Sequence, residues 1–121
     1  MRSLCTILVD AIGEASMVLL SEQFGGQRLY IPRRFSGFHA LTSIIGRRAA
    51  NSLSDACAPA HIRVPIAREL RIRRYFAEGM TLPAMASRLG ISEHSTERLL
   101  ERLRKRGELA SESPLRGSSG E

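Results

Sequence analysis

The stretch LSEQFGGQRLYIP, residues 20–32, is echoed 33 residues later as LSDACAPAHIRVP, residues 53–65. At the same offset Ile12-Gly13 aligns with Ile45-Gly46, Leu20-Ser21 with Leu53-Ser54, and Pro32 with Pro65, five identities over 21 positions. Conservative pairs lie between them: Glu22 meets Asp55, Leu29 meets Ile62 and Ile31 meets Val64. A period of this size marks a duplicated supersecondary unit. Residues of about 1–32 and 34–65 are therefore read as two helix-helix-strand repeats.

In the first repeat Leu4, Ile7 and Leu8 precede a break at Gly13. Ala15, Val18, Leu19 and Phe24 then follow at helical spacing until Gly25-Gly26 stops the helix. Leu29 and Ile31 share one face of an extended segment, and Pro32 pushes Ile31 toward β geometry before ending it. The second repeat runs through Leu41, Ile44 and Ile45, a break at Gly46, then Ala49, Ala50, Leu53 and Cys57, and an extended HIRV before Pro65. Cys57 falls in the slot of Phe24, which gives it a packing role. Strands of four or five residues are not stable alone in water. Segment 28–31 must pair either with 61–64 or with a strand of a second chain, and the small core of this half favours a homodimer.

From Pro65 the character changes. Residues 66–106 hold ten basic and five acidic side chains, whereas residues 1–32 sum to −1 and the tail from 107 to −2. Pro65 suits a helix entrance, with Ile66, Leu70, Ile72, Tyr75 and Phe76 facing a core, Arg68, Arg71, Arg73 and Arg74 projecting around it, and Gly79 as the stop. Thr81 is the next N-cap, Pro83 falls in a first turn, and Leu82, Met85, Ala86 and Leu89 form an inner face. Gly90 supplies positive φ for a tight turn, Ile91 fills the corner and Ser92 caps a last helix whose inner side is Thr96, Leu99, Leu100 and Leu103. Ala86, Gly90, Ile91 and Leu99 have the helix-turn-helix spacing. The Thr96 hydroxyl, where a β-branched aliphatic is usual, needs a partner such as a carbonyl one turn back.

With the last helix in a major groove, Arg98 and Arg102 reach guanine edges and His94 and Ser95 meet bases or phosphates. Ser92 stands at that helix's N-terminus, while Arg88, Arg104, Lys105 and Arg106 are placed to hold the phosphate backbone. Glu93, Glu97 and Glu101 recur every four residues and stand four or five before basic residues, the pattern of a salt-bridged solvent face.

Composition supports a nucleic-acid partner. The 121 residues carry 18 Lys plus Arg against 12 Asp plus Glu, a net +6, and all but Lys105 of those cations are arginine. A chain this short with six aromatics holds one small core or two very small ones, which disfavours a large catalytic fold. Cys5 and Cys57 with scattered His39, His61 and His94 have no zinc-ligand spacing, and Pro59 prevents Cys57 and His61 from sharing a helical face as nucleophile and base. No enzyme activity and no cofactor are expected. Asp10 and Glu14 interrupt the apolar N-terminal stretch, so the reading is cytoplasmic, without a membrane partner. The tail beyond about residue 110, rich in Ser, Gly and acids, reads as disordered.

LPAMASRLGISEHSTERLL resembles the helix-turn-helix of LuxR-type regulators over that stretch alone. GGQRLYIPRR, a spacer, a run of arginines and YFAEGMTLPAMASRLGISEHSTERLL together resemble the phage middle-operon regulator (Mor) family of transcription activators. Gly25, Gly26, Tyr30 and Pro32 match that family's glycine-pair and strand motif, and Ala86, Gly90, Ile91 and Leu99 its DNA-binding unit. The resemblance implies an N-terminal dimerisation region, a homodimer bound to double-stranded DNA at an imperfect repeat upstream of a promoter, and recruitment of RNA polymerase. The chain departs from the family pattern in its second helix-helix-strand unit, in Ala58-Pro59 where a second glycine pair is expected, and in the acidity of the recognition helix. The expectation is thus a mainly α protein: a dimerisation region at 1–65, a helix-turn-helix domain at 66–106 and a tail at 107–121. The expected function is that of a prophage regulator. The rival is a phage assembly or packaging module that binds nucleic acid without sequence preference.

Overall fold

A computed structural model describes residues 2–37 and 39–109; the expected disordered tail lies outside the described residues from 110 onward. The chain is mainly helical, with five helices and one two-stranded antiparallel sheet among the described residues. It divides into two units, Met1–Ala67 and Arg68–Glu121.

The first unit opens with α1, Leu4–Phe24, whose N-terminus is capped by the Ser3 side chain accepting from the Thr6 amide. Gly13 sits inside it at φ 86° and ψ 161°, non-helical angles that divide the element into the two helical segments expected on either side of the glycine. β1, Arg28–Ile31, follows, then α2, Ala40–Cys57, which carries Gly46 at the same angles, φ 86° and ψ 161°. That region of backbone space is essentially closed to residues with a Cβ. β2 is Ala60–Arg63, one residue earlier than the expected 61–64. Val64 still extends the ladder, its amide donating to the Gln27 carbonyl and its carbonyl accepting from Gly26.

α1 packs on α2. Leu8 and Leu41, Met17 and Ala50, Leu20 and Leu53, and Ile31 and Val64 are all fully buried, each pair 33 residues apart. Burial of a side chain of the Leu or Met class contributes about 1.5 to 3 kcal/mol, so these positions form the core of the unit. By length and composition α1 is also apolar enough to cross a membrane, despite Asp10 and Glu14. The same composition is required of a helix buried on one side and kinked at Gly13.

The two strands pair within the chain. Arg28 faces Arg63, Leu29 faces Ile62, Tyr30 faces His61 and Ile31 faces Ala60. The glycine pair has its own cause. A Cβ on Gly25 would lie 2.5 Å from the Ser21 carbonyl oxygen and 3.4 Å from the Ile66 Cα, and Gly26 has φ 82°. Ile66 is 41% exposed and outside any helix, contrary to the expected helix entrance at Pro65. The next helix begins only at Arg68, because Ala67 takes φ 55° and interrupts a right-handed run.

Candidate nucleic-acid interface

The second unit contains α3 (Arg68–Ala77), α4 (Leu82–Leu89) and α5 (Glu93–Lys105). Their shared core is Leu70, Ile72, Tyr75, Phe76, Met85, Ala86, Leu89, Thr96, Leu99, Leu100 and Leu103. Each helix end has a local reason. The Gly79 amide donates to the Phe76 carbonyl and that of Met80 to Tyr75, closing α3. The Thr81 side chain accepts from the Ala84 amide and opens α4, with Pro83 in the first turn. Gly90, at φ 72° and ψ 30°, donates its amide to the Ala86 and Ser87 carbonyls, and Ile91 donates to Ala86. This is a Schellman turn, which consumes the carbonyls at the end of α4 and reverses the chain within three residues. Ser92 then caps α5 by accepting from the Ser95 amide at 3.0 Å. The hydroxyl of the buried Thr96 donates to the Ser92 carbonyl one turn back at 2.8 Å, the partner its sequence context requires.

One arginine of α3 departs from expectation. Arg71, expected to project outward with Arg68, Arg73 and Arg74, is only 7% exposed. Its Nε donates to the Tyr75 hydroxyl at 3.1 Å and its Nη2 to the Arg88 carbonyl at 2.8 Å, which ties α3 to the end of α4. A buried guanidinium requires such acceptors, and an arginine fork supplies several donors at fixed geometry. The Arg88 guanidinium lies 5.6 Å from the centre of the Tyr75 ring, so Arg88 serves the unit's packing as well as its surface. Arg106, expected at the phosphate backbone, is held by Glu69 at 2.7 Å and Glu108 at 3.1 Å.

The outer side of α5 is a ridge between two open hollows. His94, Arg98 and Arg104 line one, together with Leu82, Glu97 and Glu101. Ser95 and Arg102 line the other, together with Arg68, which the sequence reading had not grouped with them. Lys105 is exposed at the end of the helix. Among the described residues the expected salt-bridged pattern is reduced to one pair: Glu101 accepts from Arg104 at 2.9 Å, three residues on. Arg98 and Arg102 are exposed and form no ion pair among the described residues. Glu93 stands in the first turn of α5, where its charge complements the helix dipole.

The ribbon of the first unit shows a second basic surface, which strand pairing creates and no local motif announces. Arg28 and Arg63 lie directly opposite each other, beside Tyr30, 47% exposed, whose ring centre is 4.9 Å from that of His61. Like charges at opposed positions weaken a ladder. Arg63 is anchored by donating to the Gly26 carbonyl at 2.7 Å. No acidic residue occurs between Glu22 and Asp55 to neutralise this face.

Cys57 is half-buried and burial pushes its thiol up from its ordinary value, the opposite of an activated nucleophile. Comparisons with protein-family models, with curated proteins and with solved structures found no match for this chain.

Proposed function

We propose that the protein is a sequence-specific DNA-binding regulator, with α4, the Gly90 turn and α5 acting as a helix-turn-helix and α5 lying in the major groove. The observation that carries this reading is the division of α5. Thr96, Leu99, Leu100 and Leu103 are buried, while Arg98 and Arg102 project from the opposite side without ion pairs among the described residues. A 13-residue helix offers that side to a groove about 12 Å wide, and a guanidinium pairs two-pronged with O6 and N7 of guanine. Glu97, which forms no ion pair among the described residues, suits a cytosine amino group. His94 and Ser95 flank the arginines, and Arg88, Arg104 and Lys105 reach phosphates. Ser92 holds the helix N-terminus toward them. The Arg28 and Arg63 face adds basic surface on a ribbon, an element that nucleic-acid grooves also accept. The resemblance of the sequence to the Mor family supports a role at a promoter, in activation through RNA polymerase.

Selection from randomised duplex DNA at moderate salt tests the reading. The expected result is a defined consensus whose affinity exceeds nonspecific binding by at least about a thousandfold. Arg98→Ala is expected to relax preference at one base position by about 1 to 3 kcal/mol without a general loss of affinity. Sequence-blind binding that weakens steeply with salt would replace this reading by the assembly or packaging module.

A further inference from the structure

We propose that the first unit is a dimer fused into one chain, so that the protein acts as a monomer that reads a single DNA site without an inverted repeat. The second half of that statement rests on the DNA-binding reading above; the first half does not. Its basis is the register of the ribbon. Leu29 faces Ile62, its own counterpart 33 residues on, at the offset that also relates Gly13 to Gly46 and Ser21 to Ser54. On either side, Arg28 faces Arg63 while Tyr30 faces His61, and His61 and Arg63 are the counterparts of Arg28 and Tyr30. Residue i meets j and the copy of j meets the copy of i, which is the contact rule of a two-fold interface between identical subunits.

The helices obey the same relation. Both glycines take φ 86° and ψ 161°, and Leu8 with Leu41, and Leu20 with Leu53, are fully buried. The reason to expect a homodimer, that four-residue strands need a partner, is met inside the chain. The two copies differ in what they lead into. After Pro32 the first enters the second copy, whereas after Pro65 the second enters α3 and the DNA-reading unit. Two ribbon halves therefore share one tri-helical unit among the described residues, and a palindromic site has no second reader within the chain.

Sedimentation of the full chain decides the first half. The expected mass at micromolar concentration is that of one 13.4 kDa chain. Oxidation of Arg28→Cys/Arg63→Cys, in a background of Cys5→Ala and Cys57→Ala, is expected to give a cross-link within one chain, seen as a monomer of altered mobility on a non-reducing gel. A dimeric mass overturns the proposal, whether the cross-link forms between chains or within them. If the cysteine background does not fold, the mass of the unaltered protein stands as the test. For the second half, duplexes enriched from a random pool are expected to carry one chain each and a consensus without inverted symmetry. Two chains on a palindromic consensus overturn it. Failure to enrich any duplex removes the DNA-binding reading, and the single-site consequence with it, while the solution mass still decides whether the dimer is fused.

Discussion

Residues 4–31 and 40–63 follow the same order of elements with different exits. Each is a helix kinked at a glycine with the same backbone angles, followed by a four-residue strand. At the helix end, however, Gly25-Gly26 in one copy stands where the other has Ala58-Pro59. Gly25 donates its amide to the Ser21 carbonyl at 2.9 Å, and Ala58 makes the equivalent bond to Ser54 at 2.8 Å. The bond is shared; the room beside it is not. Gly25 lies against the Ile66 backbone, where the chain leaves β2 on its way to α3. Core and kink thus repeat wherever packing between the copies demands it, and the copies diverge where the chain must be led elsewhere.

Paired core truncations give the largest effect by which that comparison can be broken. Leu8→Ala and Leu41→Ala each remove a fully buried side chain at matched positions, and each is expected to cost about 2 to 5 kcal/mol. Denaturant unfolding followed by far-ultraviolet circular dichroism measures both. Costs that differ by more than the cavity range allows would show that the two positions are not equivalent in the core. Next is Gly25→Ala, expected to cost about 1 to 3 kcal/mol because its Cβ meets a carbonyl oxygen that cannot move freely. The reverse change at the other exit, Ala58→Gly, is expected to cost no more than about 1 kcal/mol, through chain entropy alone. Gly13→Ala and Gly46→Ala sharpen the comparison differently. A Cβ at either glycine has no neighbour within 4 Å, so any loss reports backbone conformation rather than crowding. Each is expected to lose about 1 to 3 kcal/mol, and the two losses should match.

Much of this architecture was legible in the chain, for reasons that are local. Glycine at 13, 46 and 90, a cap at Ser92 and a hydroxyl at Thr96 each impose geometry within one turn, and each takes the conformation or partner its context requires. The division of α5 into buried and exposed sides followed from spacing alone. What escaped depends on groups brought together from a distance. Arg71 reads as one more solvated cation until the Arg88 carbonyl, 17 residues away, is placed beside it. Arg106 reads as a phosphate contact until Glu69 and Glu108 take it up. The apposed Arg28 and Arg63 exist only through strand pairing, and the late start of α3 only through the backbone angle of Ala67.

The smallest effect separates the copies most finely. Ser21 and Ser54 are counterparts and both are buried, yet their hydroxyls serve different ends. Ser21 donates to the Val18 carbonyl of its own helix at 3.0 Å. Such back-bonding adds little, since a helical carbonyl already has an amide partner, and Ala is the better helix former. Ser21→Ala is therefore expected to leave stability within about 0.5 kcal/mol of the parent. Ser54 reaches out of α2 to the Pro32 carbonyl at 2.8 Å and the Arg33 carbonyl at 2.7 Å, fastening the segment that joins the two copies. No other donor to those two carbonyls is present among the described residues, so Ser54→Ala is expected to cost about 1 kcal/mol. Limited tryptic cleavage after Arg33 and Arg34 should accelerate in that variant and stay unchanged in Ser21→Ala. Equal behaviour of the two variants would mean that the junction is held by the copies on either side of it rather than by the Ser54 hydroxyl.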